Sequence, residues 1–315
     1  SKIDALLLYR YSVECIFRRV IAVPQIMMRD KQLVYVRVIG RGTPVLMLHG
    51  VGMDSRHWLP FILPLINQFR FYLPDFRGSG RSARTPVNQP DVFVNLAEDV
   101  QDIIRHFRLE DFLLVGYSLG ASTSLHLMQQ GEFANVRRYL HIDQSPTISN
   151  PEDGPYGLMG LQQDAFFATL CQLHSILDEY RHIEYLHALP PAARKDATRL
   201  LAEVLAVAAG QPQIGWLLKG AALSPRFFSF LARGYQLHTL RSYLWGYFNT
   251  DHDYREFLRQ SDLPMTFFVG RRSILYEYEG QKQMASLAKN SKIVSFEKGG
   301  HLLKVEQPIQ FVKEL

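Results

Sequence analysis

The stretch Gly116-Tyr117-Ser118-Leu119-Gly120 decides how this 315-residue chain is read. Before it, DFLLVGYS (111–118) has the apolar character of a strand buried in a sheet. After it, LGASTSLHLMQQ (119–130) reads as a helix. A strand that becomes a helix across one residue needs a sharp corner. Glycines on either side remove side chains that would collide there. The corner then lifts the Ser118 hydroxyl above the sheet edge. Leu119 opens the helix, so its N–H lacks an intrahelical acceptor and can face an anion. G-x-S-x-G spacing alone is weak. The strand–turn–helix setting makes Ser118 a nucleophile and not a turn serine.

Working outward, the same alternation recurs. QLVYVRVIG (32–40), PVLMLHG (44–50), FRFYLPD (69–75) and RRYLHID (137–143) read as strands by their apolar and β-branched content. HWLPFILPLINQ (57–68) is helical or partly so. LAEDVQDIIRHFRL (96–109) places Leu96, Val100, Ile103, Ile104 and Phe107 on one helical face. Alternating strands and helices predict an α/β fold with a mostly parallel, doubly wound sheet. The pattern breaks at 147–255, where helical stretches occur without a clear strand. It resumes at PMTFFVG (264–270), a helix near 278–288 and KIVSF (292–296). The expected organisation is an amino-terminal amphipathic helix (1–24), a core of 25–146 and 256–315, and an inserted helical block (147–255). That block carries Phe227, Phe228, Phe230, Tyr235, Tyr243, Trp245, Tyr247 and Phe248. Some of these rings pack the block, and others line an apolar pocket.

Three further motifs follow strands. Leu48-His49-Gly50-Val51-Gly52 offers a loop whose Val51 N–H is a second oxyanion donor beside that of Leu119. Asp75-Phe76-Arg77-Gly78-Ser79-Gly80-Arg81-Ser82 is expected to brace that loop. Gly299-Gly300-His301 puts a histidine on a glycine turn just past the last strand, the setting for a general base. The other ten histidines have no comparable setting, and none forms an H-E-x-x-H pair. His174, His182 and His187 read as surface or core residues of the insertion.

In chain order, the His-Gly loop, the D-x-R-G-x-G-x-S stretch, the elbow and the terminal G-G-H resemble the α/β-hydrolase superfamily. The resemblance spans roughly 25–315, with 147–255 as the cap. It implies an α/β-hydrolase fold and acyl-ester or related hydrolysis through a serine–histidine–acid triad. No metal or organic cofactor is implied. Ser118 argues against the relatives that use an aspartate nucleophile.

One position departs from the pattern. The family's acid usually follows the strand at 264–270, but the stretch there reads Gly270-Arg271-Arg272-Ser273. Ser273 cannot supply the negative charge that stabilises an imidazolium, a loss worth about 10⁴-fold in turnover. Some family members take the acid from the strand that ends here in Asp143. The order Ser118, Asp143, His301 then keeps serine–acid–histidine. Glu277 and Glu279 stand as alternatives, as does the absence of a working acid. The expected triad is Ser118, His301 and Asp143, with Val51 and Leu119 as oxyanion donors.

The aromatic cap favours a medium or long acyl chain, so a carboxylesterase or lipase acting on a small, lipid-like ester is expected. Lactonase, thioesterase and C–C bond hydrolase are the nearest alternatives. A fold-retaining ligand-binding protein is the reading from a different class, and a structural membrane scaffold leaves Ser118 and His301 unexplained.

Composition fits a globular protein, with 47% apolar and 21% charged residues. The net charge of +5 resides in residues 1–50, which hold eight Lys/Arg and three Asp/Glu. A basic end without a nucleic-acid-binding signature argues against nucleic acid as partner. Residues 3–23 place Arg10, Glu14 and Arg18 on one helical stripe beside apolar residues. Five charges argue against a bilayer span. Two readings stay open: a helix packed on the domain, or a peripheral helix meeting anionic lipid. Cys15 and Cys171 read as free thiols, which points to the cytoplasm, with membrane association under the second helix reading. The chain opens on Ser and ends inside a helical pattern, so further residues are expected at both ends.

Overall fold

The computed structural model describes residues 24–208 and 235–315. The expectations placed on residues 3–23, on Cys15 and on Phe227, Phe228 and Phe230 lie outside the described residues. Eight strands form one sheet: β1 (Gln25–Met27), β2 (Leu33–Gly40), β3 (Thr43–Leu48), β4 (Phe69–Pro74), β5 (Phe112–Tyr117), β6 (Val136–Ile142), β7 (Met265–Gly270) and β8 (Ser291–Phe296). Their order is β1-β2-β4-β3-β5-β6-β7-β8. Pairing is antiparallel for β1–β2 and β2–β4 and parallel from β4 to β8. The mostly parallel sheet expected from the alternation is therefore present, with β2 alone running against the other described strands near one edge. β1 was not legible in the sequence, because three residues give no period.

The central strands are apolar on both sides because both faces are covered. In β3, Leu46 and Leu48 join one buried cluster while Val45 and Met47 join the other. In β5, Leu114 faces the first cluster, and Val115 and Tyr117 the second. Successive side chains point to opposite faces, so one strand feeds two cores.

Helix α1 (Val92–Phe107) begins four residues before the expected start. Asp91 caps it, accepting the Phe93 N–H at 2.9 Å, and Arg108 ends it in the left-handed region at φ 50°. Helix α2 (Leu119–Gln129) follows the elbow. The segment expected to be helical or partly so is a run of short helices, 3-10 at Ser55–Trp58, α at Leu59–Ile62 and 3-10 at Leu63–Leu65, with Pro60 and Pro64 in the first turns of the second and third.

Between β6 and β7 come α3 (Gln163–Glu179), α4 (Pro191–Ala208) and α5 (Leu237–Phe248), then α6 (Arg255–Gln260). The first three bury their own cluster, including Leu170, Leu173, Leu177, Leu201, Leu237 and Leu244. This inserted block leaves and rejoins the sheet layer at neighbouring points. Thr147 and Asp253 pair in an isolated antiparallel bridge. His252 Nε2 lies 2.6 Å from Asp91 Oδ2, which ties the return to the α1 cap. Helices α7 (Tyr278–Ala285) and α8 (Pro308–Glu314) complete the described chain. Cys171 is an exposed free thiol. Among the described residues, no helix is long and apolar enough to cross a membrane.

Candidate active site

The elbow is built from what its glycines lack. A Cβ on Gly116 would lie 2.7 Å from Ala121 Cα, and one on Gly120 would lie 2.3 Å from the Leu48 carbonyl oxygen. Backbone cannot yield at those distances, so β5, α2 and β3 meet this closely only around glycine. Ser118 itself sits at φ 52°, ψ −118°. For a non-glycine residue this is a strained conformation, costing about 1–3 kcal/mol. The Ser118 N–H donates to the Ile142 carbonyl at 3.0 Å, which fixes the corner against β6.

The structure brings Ser118, His301 and Asp143 into one hydrogen-bonded chain. His301 Nδ1 is 2.7 Å from Asp143 Oδ2, and His301 Nε2 is 3.0 Å from Ser118 Oγ. A carboxylate only accepts, so Nδ1 carries the proton and donates to it. Nε2 then holds a lone pair, and the Ser118 hydroxyl donates to that. Exposure falls along the chain from 7% at Ser118 to 3% at His301 and 0% at Asp143. The serine thus meets the cavity and the carboxylate is sealed from water.

Asp143 leaves β6 at φ 43°. Its carboxylate takes three more donors. The Gly270 N–H and Gln281 Nε2 reach Oδ1, each at 3.0 Å, and the Ser273 hydroxyl reaches Oδ2 at 2.7 Å. Ser273, the departure from the expected pattern, therefore touches the carboxylate it does not replace. Glu277 and Glu279 are exposed. Glu279 pairs with Lys282 at 3.1 Å, and neither glutamate bonds His301. His301 is held from behind as well. The Tyr117 hydroxyl donates to its carbonyl at 2.6 Å, and the two rings stack 5.3 Å apart.

Val51 and Leu119 both line the cavity over Ser118. Among the described residues, neither backbone N–H donates to a backbone acceptor. His49 shapes their loop. Its Nδ1–H donates to the Gly50 carbonyl at 2.8 Å, and its Nε2 accepts the Phe76 N–H at 3.0 Å. Burial pushes this imidazole down to about 4, so it stays neutral at ordinary pH. Asp75 braces the same region, accepting the N–H groups of Ser55 at 2.7 Å and Arg81 at 2.9 Å. Arg77 is fully buried. It forks onto Asp99 with two bonds of 2.7 Å and reaches Asp30 at 2.6 Å. The expectation that the stretch from Asp75 to Ser82 supports the loop agrees with these contacts.

The cavity has a volume of about 340 Å³. Leu158, Leu201, Leu205, Leu244, Tyr247 and Leu275 are among its walls, and no Lys or Arg is among its described lining residues. Tyr235 and Tyr243 from the aromatic stretch also face it. Phe248 instead packs with the insertion's own cluster. Of the other histidines, His182 and His187 are exposed and His174 is half-buried.

Sequence reasoning missed Gln281, Ser273 as a donor, the Tyr117 brace and Lys304. A glutamine on a helix gives no signal, and Tyr117 reads simply as an elbow residue. Lys304 is only 2% exposed. Its Nζ lies 4.4 Å from the centre of the Trp58 ring and 5.0 Å from that of Tyr117. It forms no ion pair among the described residues. Burial pushes this ammonium down to about 8, against about 10.4 in an unfolded chain. The folded protein thus binds the proton more weakly, and the cost of the buried charge is fully present below pH 8. It is relieved as pH rises from about 8 to about 10.4. Lys304→Met keeps the shape and removes the charge. Part of the cost is offset by the rings, at about 0.5–2 kcal/mol. The variant is expected to gain about 1–2 kcal/mol at pH 7, with the gain shrinking towards pH 10. Thermal melts of both proteins across that range test this, and a gain that grows with pH contradicts it.

With this geometry in hand, comparison with known proteins is informative. The profile of the Alpha/beta hydrolase family matches residues 45–314. The AB hydrolase superfamily protein YisY of Bacillus subtilis (strain 168) is 25% identical, over 85% of this chain and 88% of its own. The pimeloyl-[acyl-carrier protein] methyl ester esterase of Vibrio cholerae is 24% identical, over 89% of this chain and 96% of its own. Among solved structures, the esterase RhEst1 from Rhodococcus sp. ECU1013 superposes with a TM-score of 0.68 at 23% identity, covering 93% of this chain and 97% of that one.

Proposed function

Because the chain belongs to the alpha/beta hydrolase family and is an esterase-like hydrolase, we propose that it cleaves neutral carboxylic esters of medium or long acyl chains through an acyl-enzyme on Ser118. The observation that carries this reading is His301, bonded at once to Ser118 Oγ and to the buried Asp143. In the proposed reaction His301 Nε2 takes the hydroxyl proton as Ser118 Oγ attacks the carbonyl carbon. The N–H groups of Val51 and Leu119 hold the resulting oxyanion, each donor being worth about 2.7–4 kcal/mol. Collapse expels the alcohol, which takes the proton from His301. Water then enters, gives its proton to the same nitrogen and releases the acid. Asp143 stays ionised and steadies the imidazolium in both halves.

The apolar walls and the lack of cationic lining residues favour an uncharged acyl chain. In this reading residues 147–255 form the cap over the site, on the core of 25–146 and 256–315. The acyl methyl ester named for the Vibrio relative supports the same class. The amino-terminal stretch 3–23, if peripheral to membrane, brings the cytoplasmic protein to lipid-like esters.

The test is a p-nitrophenyl ester series from acetate to palmitate, run beside labelling with a fluorophosphonate. Turnover is expected to peak at about six to ten acyl carbons, and the label is expected on Ser118. Turnover confined to acetate contradicts the chain-length reading. A folded protein that neither turns over nor labels is a ligand-binding member of the fold and not an enzyme.

A further inference from the structure

Helix α5 carries a stripe of hydroxyls. Thr239, Tyr243 and Tyr247 follow one another at four-residue spacing, so their side chains share one face of the helix. All three line the cavity over Ser118, as does Tyr276 from the loop before α7. These hydroxyls differ in what they bond. That of Tyr243 donates to the Arg77 carbonyl at 2.9 Å, which ties the helix to the loop after β4. Thr239 Oγ1 is buried without a partner among the described residues. Half-buried Tyr247 makes no hydrogen bond among the described residues. Its ring is held edge-on to Phe93, with the centroids 5.3 Å apart. Burial pushes the phenols of Tyr243, Tyr247 and Tyr276 up, and the nearness of Tyr247 pushes the other two further. Three phenol oxygens therefore lie near one another and stay protonated at ordinary pH.

We infer that Tyr247 is a specificity-determining residue, and that the acyl chain this cavity takes carries an uncharged oxygen acceptor, such as a ketone or an ether, at a fixed distance from the scissile carbonyl. This rests on the serine-hydrolase reading above, with the acyl chain in the cavity. A neutral phenol can donate one hydrogen bond. A chain of methylenes gives it no acceptor and displaces the water that would serve as one, which leaves a buried donor unpaired. An oxygen at the depth of Tyr247 accepts that bond. The rest of the chain meets Leu158, Leu201, Leu205, Leu244 and Leu275. A carboxylate does not suit the same place. No Lys or Arg is among the described lining residues, and phenols that stay protonated supply no counter-charge.

The experiment compares p-nitrophenyl decanoate with its 5-, 6-, 7-, 8- and 9-oxo derivatives. Each kcat/KM is divided by the rate at which hydroxide alone cleaves the same ester. Wild type, Tyr247→Phe and Tyr243→Phe are measured, with thermal melts and fluorophosphonate labelling beside them. In wild type one isomer is expected to match or exceed decanoate. Isomers with the oxygen elsewhere are expected to fall about tenfold or more below it, since an oxygen buried without a donor is costly. Tyr247→Phe is expected to lower the ratio of the favoured isomer to decanoate by about tenfold. Tyr243→Phe is expected to leave that ratio within about threefold, because its hydroxyl is already engaged by Arg77. Wild-type rates lower for every isomer than for decanoate overturn the inference, and so does a series with no favoured position. A ratio unmoved in Tyr247→Phe, or moved in Tyr243→Phe alone, overturns the assignment to Tyr247. If Tyr247→Phe does not fold, the wild-type series decides alone. A wild type that cleaves none of these esters and does not label overturns the reaction reading, and this one with it. A labelled wild type that cleaves decanoate but favours no isomer overturns only this one.

Discussion

Ser118→Ala is expected to abolish esterase turnover almost completely, with kcat falling by about 10⁶-fold and KM little changed. In the proposed reaction the hydroxyl oxygen forms the acyl-enzyme, and among the described residues no other side chain bonds His301 Nε2. The two backbone donors and the cavity remain, so the residual rate is that of binding and oxyanion stabilisation alone. Stability separates this effect from damage to the fold. Alanine keeps the Cβ and so keeps the strain at φ 52°, and the melting temperature is expected to hold. Ser118→Gly loses the same activity but relieves the strain, so it is expected to melt higher, by about 1–3 kcal/mol of stability. Turnover within tenfold of wild type in either variant contradicts the acyl-enzyme mechanism.

Asp143→Asn is expected to cost about 10⁴-fold in kcat. The amide is nearly isosteric, but it supplies a donor where His301 Nδ1–H needs an acceptor. The imidazole then turns its lone pair to Nδ1 and its proton to Nε2, the tautomer that cannot accept the Ser118 proton. The imidazolium formed in the reaction also loses its counter-charge. Steady-state kinetics beside nitrogen-15 spectra of the histidine ring test both parts. A fall of less than tenfold in a folded variant excludes Asp143 as the acid. Glu277 and Glu279 are exposed and do not bond the ring, so their removal is not expected to reproduce the loss.

The sheet was legible in the sequence because β3 to β8 are apolar runs punctuated by turns, and that pattern survives without tertiary information. The elbow and the terminal histidine were legible for a related reason: glycines at 116 and 120 mark places where backbone must pass close to backbone, and those at 299 and 300 mark a turn closed in by the side chains of Leu303 and Glu306. Asp143 was ambiguous, because an acid at a strand end is common and only distance distinguishes a triad member from a turn residue. Ser273 read as a loss, and its hydroxyl bond to Asp143 was invisible, because residues 130 apart were not expected to meet. Gln281 and Lys304 left no trace for the same reason. Helix α1 started early because Asp91, and not the apolar face, sets its first turn.

The bridge between Thr147 and Asp253 has one more consequence. The strands on either side pair directly, Tyr139 against Met265 and Ile142 against Phe268, as though nothing intervened. The helices between β6 and β7 therefore interrupt the chain without interrupting the sheet, like a clause set in parentheses. A change in the length of that segment is expected to leave the register of β6 on β7 as it is.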